Sequence, residues 1–253
     1  MKIKFVHLNV WGNGVIFNKA VNFLVKQRAD IVNLQEVYDG HDPKLSPGFR
    51  GLDIFRKRLG LDYFFYAPTV NVKREGAWVL EGTAIFSRWP IVCSVTSFYA
   101  KPYDNQYPGG FKNLPNKPRA LQQAIVDLGK NKLLNVFNTH GVWGLDGQDN
   151  ANRLRMSQFI ISQIKGQKKV ILSGDFNVNE GTRSINNINK HLVNVFKGER
   201  QSSFNMKRKP VDSGYKSAVV DFVFTGKDIK VLKHQMPDVD VSDHYPLVCV
   251  FDV

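Results

Sequence analysis

The feature that most constrains this chain is the rhythm of its apolar runs. Nine short segments rich in Val, Ile and Phe, most ending at Gly, Pro, Asn or Asp, read as strands: Lys2–Val10, Asp30–Val37, Thr83–Ser87, Ile91–Phe98, Leu121–Leu128, Lys132–Thr139, Lys169–Gly174, Val219–Thr225 and Leu247–Val253. Two stretches carry helical periodicity behind a capping residue. Asn18 is expected to cap a helix running to about Arg28 with Val21, Leu24 and Val25 inward, and Asn150 a second with Leu154, Ile161 and Ile164 on one side. Strands outnumber helices and usually follow one another directly. That order predicts a sheet-rich mixed fold rather than a strictly alternating parallel one.

The length of 253 residues suits one globular domain or two small ones and can bury about three quarters of the unfolded surface, without disulfides or a structural metal. Disorder and collagen are excluded, and no run approaches the ~18 apolar residues of a membrane span. The N-terminus alternates polar and apolar residues and reads as the first strand rather than a signal peptide. Cys93 and Cys249 sit in apolar strand-like runs without a C-x-x-C or a Cys/His set. They are expected to be buried free thiols in a reducing cytoplasm. The formal charge of +13 favours polyanions, either nucleic acid or anionic lipid headgroups, and does not choose between them.

Two loops stand out. Ser97–Arg119 interleaves Phe98, Tyr99, Tyr103, Tyr107 and Phe111 with Lys101, Lys112, Lys117 and Arg119, against the single acid Asp104. Aromatics among cations suit a groove that stacks bases and neutralises phosphates, which makes Tyr103, Tyr107, Lys112, Lys117 and Arg119 candidate substrate-binding residues. The competing reading is a long loop whose aromatics pin it to the body. Lys197–Lys216 carries Lys207-Arg208-Lys209 before Pro210, a run that reads first as a solvated loop.

Polar residues that break apolar runs carry the chemistry, because a buried carboxylate or amide is costly unless it is paired or binds a metal. These are Asn9, Glu36, His140, the pair Asp175 and Asn177 in Gly-Asp-Phe-Asn, Asp243-His244, and Asp221 within Val-Val-Asp-Phe-Val-Phe. Singly, each has a plain structural reading as a turn residue, Asx turn or cap. Together they supply hard oxygen ligands and two imidazoles with no thiolate. That composition suits Mg²⁺ or Mn²⁺ and a phosphate ester.

In this order, with Leu-Gln-Glu-Val, Gly-Asp-Phe-Asn and Ser-Asp-His-Tyr-Pro, the six segments resemble the endonuclease/exonuclease/phosphatase superfamily of DNase I-like enzymes. The resemblance spans Asn9 to Pro246. It implies a single domain over 1–253 with a four-layer α/β/β/α sandwich, two packed mixed sheets inside helices, and a site at one end of the sheets. It also implies Glu36 as the principal metal carboxylate with Asn9 beside it and Asp243 nearby. Asp175 would align or deprotonate the attacking water with Asn177 as its partner. His244 would contact the scissile phosphate, its tautomer held by Asp221, and His140 would protonate the leaving oxygen, with Glu81 its possible orienter. His7, His41, His191 and His234 match no motif and read as structural or surface residues.

Departures narrow the subclass. Exonuclease III-type repair enzymes have Leu-Gln-Glu-Thr, an acid two residues after the first Asn, and Trp-Arg before the strand aspartate. Val37, Trp11 and Ala218-Val219-Val220 stand in those places, against an abasic-site nuclease. The expectation is therefore a monomeric, cytoplasmic, Mg²⁺- or Mn²⁺-dependent phosphodiesterase acting on DNA or RNA. The alternative is a sphingomyelinase-like lipid phosphodiesterase at an anionic membrane, or a phosphomonoesterase.

Overall fold

The computed structural model describes residues 1–12, 14–209 and 215–253, with only the backbone of Tyr215. Pro210 lies outside the described residues. In chain order the elements are β1 (Lys2–Asn9), α1 (Phe17–Gln27), β2 (Ile31–Asp39), α2 (Gly51–Arg58), β3 (Tyr63–Arg74), β4 (Ala77–Ser87), β5 (Ile91–Phe98) and β6 (Asp104–Tyr107). Then follow β7 (Ala120–Asp127), β8 (Leu133–His140), α3 (Ala151–Ile164), β9 (Val170–Asp175), α4 (Arg183–Asn189), β10 (Val193–Asn194), β11 (Asp221–Thr225), β12 (Lys230–Gln235) and β13 (Leu247–Asp252).

The strands form two mixed sheets, ordered β12-β13-β1-β2-β4-β3-β6 and β10-β11-β9-β8-β7-β5. Alternation along each strand sorts side chains between two faces. On β1, Val6 and Leu8 join a core with Phe17, Leu24 and Phe55 beneath α1 and α2, while Ile3 and Phe5 point to the other sheet and meet Val136, Ile171 and Val223. The second sheet repeats the pattern, with Phe137, Leu172 and Phe222 packed beneath α3 and α4 against Met156, Ile160 and Ile185. The result is the expected four-layer sandwich, three apolar seams separating helix, sheet, sheet and helix.

Several element boundaries differ from the sequence reading, each for a local reason. The first helix begins at Phe17, with Ile16 at its cap position and no side-chain cap, so Asn18 lies inside it. In α3, Asn150 does cap, accepting from the Arg153 N–H, but the buried face is Arg153, Met156, Ser157, Ile160 and Ile164. Leu154 and Ile161 are only partly covered. Strands β3 and β12 and helix α2 escaped the apolar-run criterion because they are rich in charged or half-exposed residues. Cys249 is buried as expected, whereas Cys93 is exposed, since β5 is an edge strand whose residues Val92 to Val95 are all exposed. Among the described residues no helix is long and apolar enough to cross a membrane.

Candidate active site

The seam between the sheets changes character along its length. On β1 the inward row runs Ile3, Phe5, His7, Asn9, and on β9 it runs Ile171, Ser173, Asp175. At the polar end, amides tie the sheets together. Asn33 donates to the Phe137 carbonyl and the Ser173 hydroxyl, both at 2.9 Å, and Gln35 donates to Asn138 Oδ1 at 2.6 Å. Beyond these amides the seam opens into a cavity of about 490 Å³ lined by Glu36, His140, Asp175, Asn177, Asp243 and His244 among others.

Three backbone devices aim these side chains. The β2–β4 register slips between Leu34 and Val37, and Glu36 sits in that bulge at φ 56°, turned toward the cavity. Asn177 at φ 54° closes an Asx turn, its N–H donating to Asp175 Oδ1 at 3.0 Å. The turn reading of Gly-Asp-Phe-Asn holds, and the same turn sets Asp175 and Asn177 on the cavity wall. Gly141 follows His140 where any Cβ would lie 2.0 Å from the Phe176 carbonyl oxygen, so only glycine lets the ends of β8 and β9 stay this close.

Asp175 is the hub. Its Oδ2 accepts from Asn9 Nδ2 at 3.0 Å and lies 3.5 Å from His140 Nε2 and 3.7 Å from His244 Nε2. Asp221, fully buried, accepts from His244 Nδ1 at 2.8 Å and from His7 Nε2 at 3.0 Å. Burial disfavours charge on His244, but Asp221, Asp175 and Asp243 outweigh it and push the imidazolium up to about 10. Asp221 is held well below the usual carboxylate range against its own burial, by His244 and then His7. Burial raises Asp175 despite His244. Burial, then Asp243 and Glu81, raises Glu36. His140 goes the opposite way, lowered by burial and by the nearby Arg119 and Lys117, so in this state it is neutral at pH 7.

A divalent cation fits one part of this constellation better than another. Ligand-type atoms of Asp175, Asp221 and His244 lie within 4.8 Å of one another. Hydrogen bonds already occupy both Asp221 oxygens and His244 Nδ1, and a charged imidazole repels a metal. Glu36 is the better centre, because burial first and then repulsion from Asp243 and Glu81 raise its proton affinity, and a bound cation would relieve that repulsion. Asn9 stands beside Glu36 as expected but presents its amide nitrogen, which donates to Glu36 Oε1 at 3.2 Å as well as to Asp175, while its oxygen accepts from the Trp11 N–H. In this state it braces two carboxylates. Asp243 reaches the cavity with one oxygen 2.6 Å from Lys209 Nζ.

Other expected residues fall elsewhere. Glu81 does not hold His140; its carboxylate ion-pairs with Lys117 and lies 3.8 Å from Arg74. Tyr107 is buried among Tyr38, Val70 and Val72 and offers no face to a base. Tyr99 is pinned through Thr139 and the His140 carbonyl. The aromatics of Ser97–Arg119 therefore largely serve the body, as the competing reading held. Lys117 and Arg119 are buried and line the cavity, whereas Tyr103 and Lys112 are exposed outside it. The run Lys207-Arg208-Lys209 is neutralised internally, by Asp238, Asp240 and Asp243 in turn.

Sequence reasoning missed His7. It is completely buried, takes Gln35 on Nδ1 at 3.4 Å and gives Nε2–H to Asp221. The signal was its place in the β1 alternation with Ile3, Phe5 and Asn9. It also missed the rim, where Trp11, Phe111, Trp143 and Leu145 edge the cavity and Phe111 meets Trp143 edge-on at 4.9 Å. The loop carrying Trp143 and Leu145 is anchored by the buried guanidinium of Arg153, bonded to Val142, Gly144 and Gln148 carbonyls and to Asp146.

Comparisons with known proteins bear on the family and the fold. A family model described as "Endonuclease/Exonuclease/phosphatase family" matches residues 6–244. Among solved structures, an endonuclease/exonuclease/phosphatase from Beutenbergia cavernae is 18% identical with a TM-score of 0.74, over 99% of this chain and 71% of that one. Another from Bacteroides vulgatus is 18% identical at a TM-score of 0.71, covering 100% and 99%. A mannosyl-6-phosphatase from Bacteroides thetaiotaomicron is 16% identical at 0.69, covering 99% and 100%. No curated protein sequence matches the chain.

Proposed function

Because the chain belongs to the endonuclease/exonuclease/phosphatase family, whose members are phosphoesterases, we propose that it is a divalent-metal-dependent phosphodiester hydrolase that cleaves DNA or RNA by in-line attack of water. The observation that carries this reading is the line Asp221–His244–Asp175, a locked imidazolium facing a carboxylate of raised proton affinity at the floor of the cavity.

The chain's own residues divide the work. Asp175, steadied by Asn9 and the Asn177 N–H, is the acceptor for the proton of the attacking water, and its raised proton affinity makes it a better base than an ordinary aspartate. His244, charged and oriented through Asp221, turns Nε2–H toward a phosphate oxygen and stabilises negative charge there. His140 is neutral in the free protein. A bound phosphate offsets Arg119 and Lys117, favours its protonation, and so readies it to protonate the leaving oxygen. Glu36 and Asp243 would hold Mg²⁺ or Mn²⁺, which supplies charge neutralisation to the phosphate when bound.

The formal charge of +13 supports a nucleic-acid substrate. A lipid phosphodiester is the second reading, favoured by Phe111 and Leu145, exposed by 64% and 71% at the mouth. The test is hydrolysis of bis(p-nitrophenyl) phosphate, single- and double-stranded DNA, RNA and sphingomyelin with Mg²⁺, Mn²⁺ or EDTA. Activity should vanish in EDTA, and Glu36→Gln should lower it by about 10²–10⁴-fold with partial recovery at high Mg²⁺. Undiminished activity of that variant in EDTA would sink the reading.

A further inference from the structure

Beside His140 the same cavity carries a cationic wall, Arg74, Lys117 and Arg119. Glu81 meets two of the three, ion-paired to Lys117 and 3.8 Å from Arg74. Arg119 meets none. Only 4% exposed, its guanidinium makes no hydrogen bond or ion pair among the described residues, and its Nε is a buried donor without an acceptor. The Nε of Arg74 is likewise unpartnered. Glu36 lines the same cavity and its charge reaches Arg74 and Lys117 as well, so Arg119 is the cation left without an acceptor of its own. A buried guanidinium without an acceptor is costly, and its donors open on the cavity.

The open guanidinium says what would settle it. A phosphodiester carries one negative charge, and His244 already faces the place where it reacts. A phosphomonoester carries close to two, and the guanidinium fork matches its oxygens in pairs. The cavity, at about 490 Å³, has room for such a group beside the ester that is cleaved.

We propose that Arg119, with Arg74 and Lys117, forms an anion subsite that holds a phosphomonoester group of the substrate next to the phosphodiester being cleaved. Preferred substrates therefore carry two phosphates. The subsite rests on the phosphodiesterase reading above, but its charge and its open donors belong to the metal-free chain.

Binding of inorganic phosphate is accordingly measured by calorimetry in EDTA, where no metal contributes. Wild-type protein should bind it at millimolar concentrations. Arg119→Gln should weaken binding at least about tenfold, Arg119→Lys should recover part of the loss, and Lys112→Gln, exposed on the same loop, should leave it unchanged. Absence of binding by folded wild-type protein, or equal binding by Arg119→Gln, overturns the subsite. Circular dichroism melts confirm folding, and the Lys variant keeps the charge if Gln fails to fold.

Two substrate pairs then identify the source of the phosphate: dithymidine monophosphate with and without a 5′-phosphate, and glycerophosphoinositol with and without a 4-phosphate. One phosphorylated member should be preferred at least about tenfold in kcat/KM, and Arg119→Gln should erase that ratio. Turnover without preference in either pair overturns the assignment to substrate. Phosphate binding without turnover of any diester overturns the phosphodiesterase reading and leaves the anion site standing.

Discussion

The two ends of the inter-sheet seam use the same strands, and their difference separates what holds this protein together from what it does. At one end Ile3, Phe5, Val136, Ile171 and Val223 close the seam with apolar contact. A few residues further along the same rows, His7, Asn9, Asn138, Ser173, Asp175 and Asp221 are just as buried, and each polar group there must find a partner. Packing at the apolar end is non-directional and tolerant. The polar end is directional, which makes it rigid enough to aim a proton and also leaves it with defects. Asn33 Oδ1 and Gln35 Oε1 have no partner among the described residues.

The sharpest way to break this contrast is to damage the apolar end. Phe5→Ala opens a cavity in the closed seam and should lower unfolding free energy by about 3–5 kcal/mol in urea titration, with kcat per folded molecule unchanged. A fall in kcat at full folding would mean that the two ends are not separable.

A smaller effect is expected from converting polar to apolar. Gln35→Leu removes the donor that Asn138 Oδ1 accepts from and the contact to His7, at a cost of about 1–3 kcal/mol. Unlike Phe5→Ala, it should also lower activity, because His7 helps hold Asp221. A variant as stable and as active as wild type would show that the amides merely fill space.

The gentlest probe is pH, applied to metal-free protein. His244 is raised in the folded state to about 10 from an ordinary value near 6.5. Its contribution is therefore complete below about 6.5 and is lost as pH rises through about 10, with a slope of at most about 1.4 kcal/mol per pH unit. Ring signals in nuclear magnetic resonance should report a charged His244 at pH 8 in EDTA, and Asp221→Asn should move its titration down. A neutral ring at pH 8 would remove the locked imidazolium from the mechanism.

Much of the site was legible in the chain because of the same contrast. Glu36, Asp175 and Asp221 each interrupt or close an apolar run, and an interruption inside a buried row is conspicuous, whereas His244 stood out through Ser-Asp-His-Tyr-Pro. His7 was not singled out, since it matches no motif, although it stands in the same row as the inward Ile3 and Phe5. Lys117 and Arg119 were noticed for their charge and placed in a substrate groove together with Lys112, Tyr103 and Tyr107. Nothing in the local pattern of Ser97–Arg119 says which of its cations turn inward, and Glu81, the partner that turns Lys117 in, is 36 residues away.

Alternation and breaker residues, acting over a few positions, determined that this chain makes a sheet-rich mixed fold with carboxylates at strand ends, while the two packed sheets with helices outside followed from the family resemblance. Tertiary structure alone decided the partners. Asp221 divides itself between His244 and His7, which lie 23 and 214 residues away. Asn9 braces Glu36 and Asp175, Arg119 is left with open donors, and Tyr107 joins the core. Strand pattern acts through neighbours in the chain, whereas charge and hydrogen bonding act through neighbours in space, and those exist only once the two sheets have closed on each other.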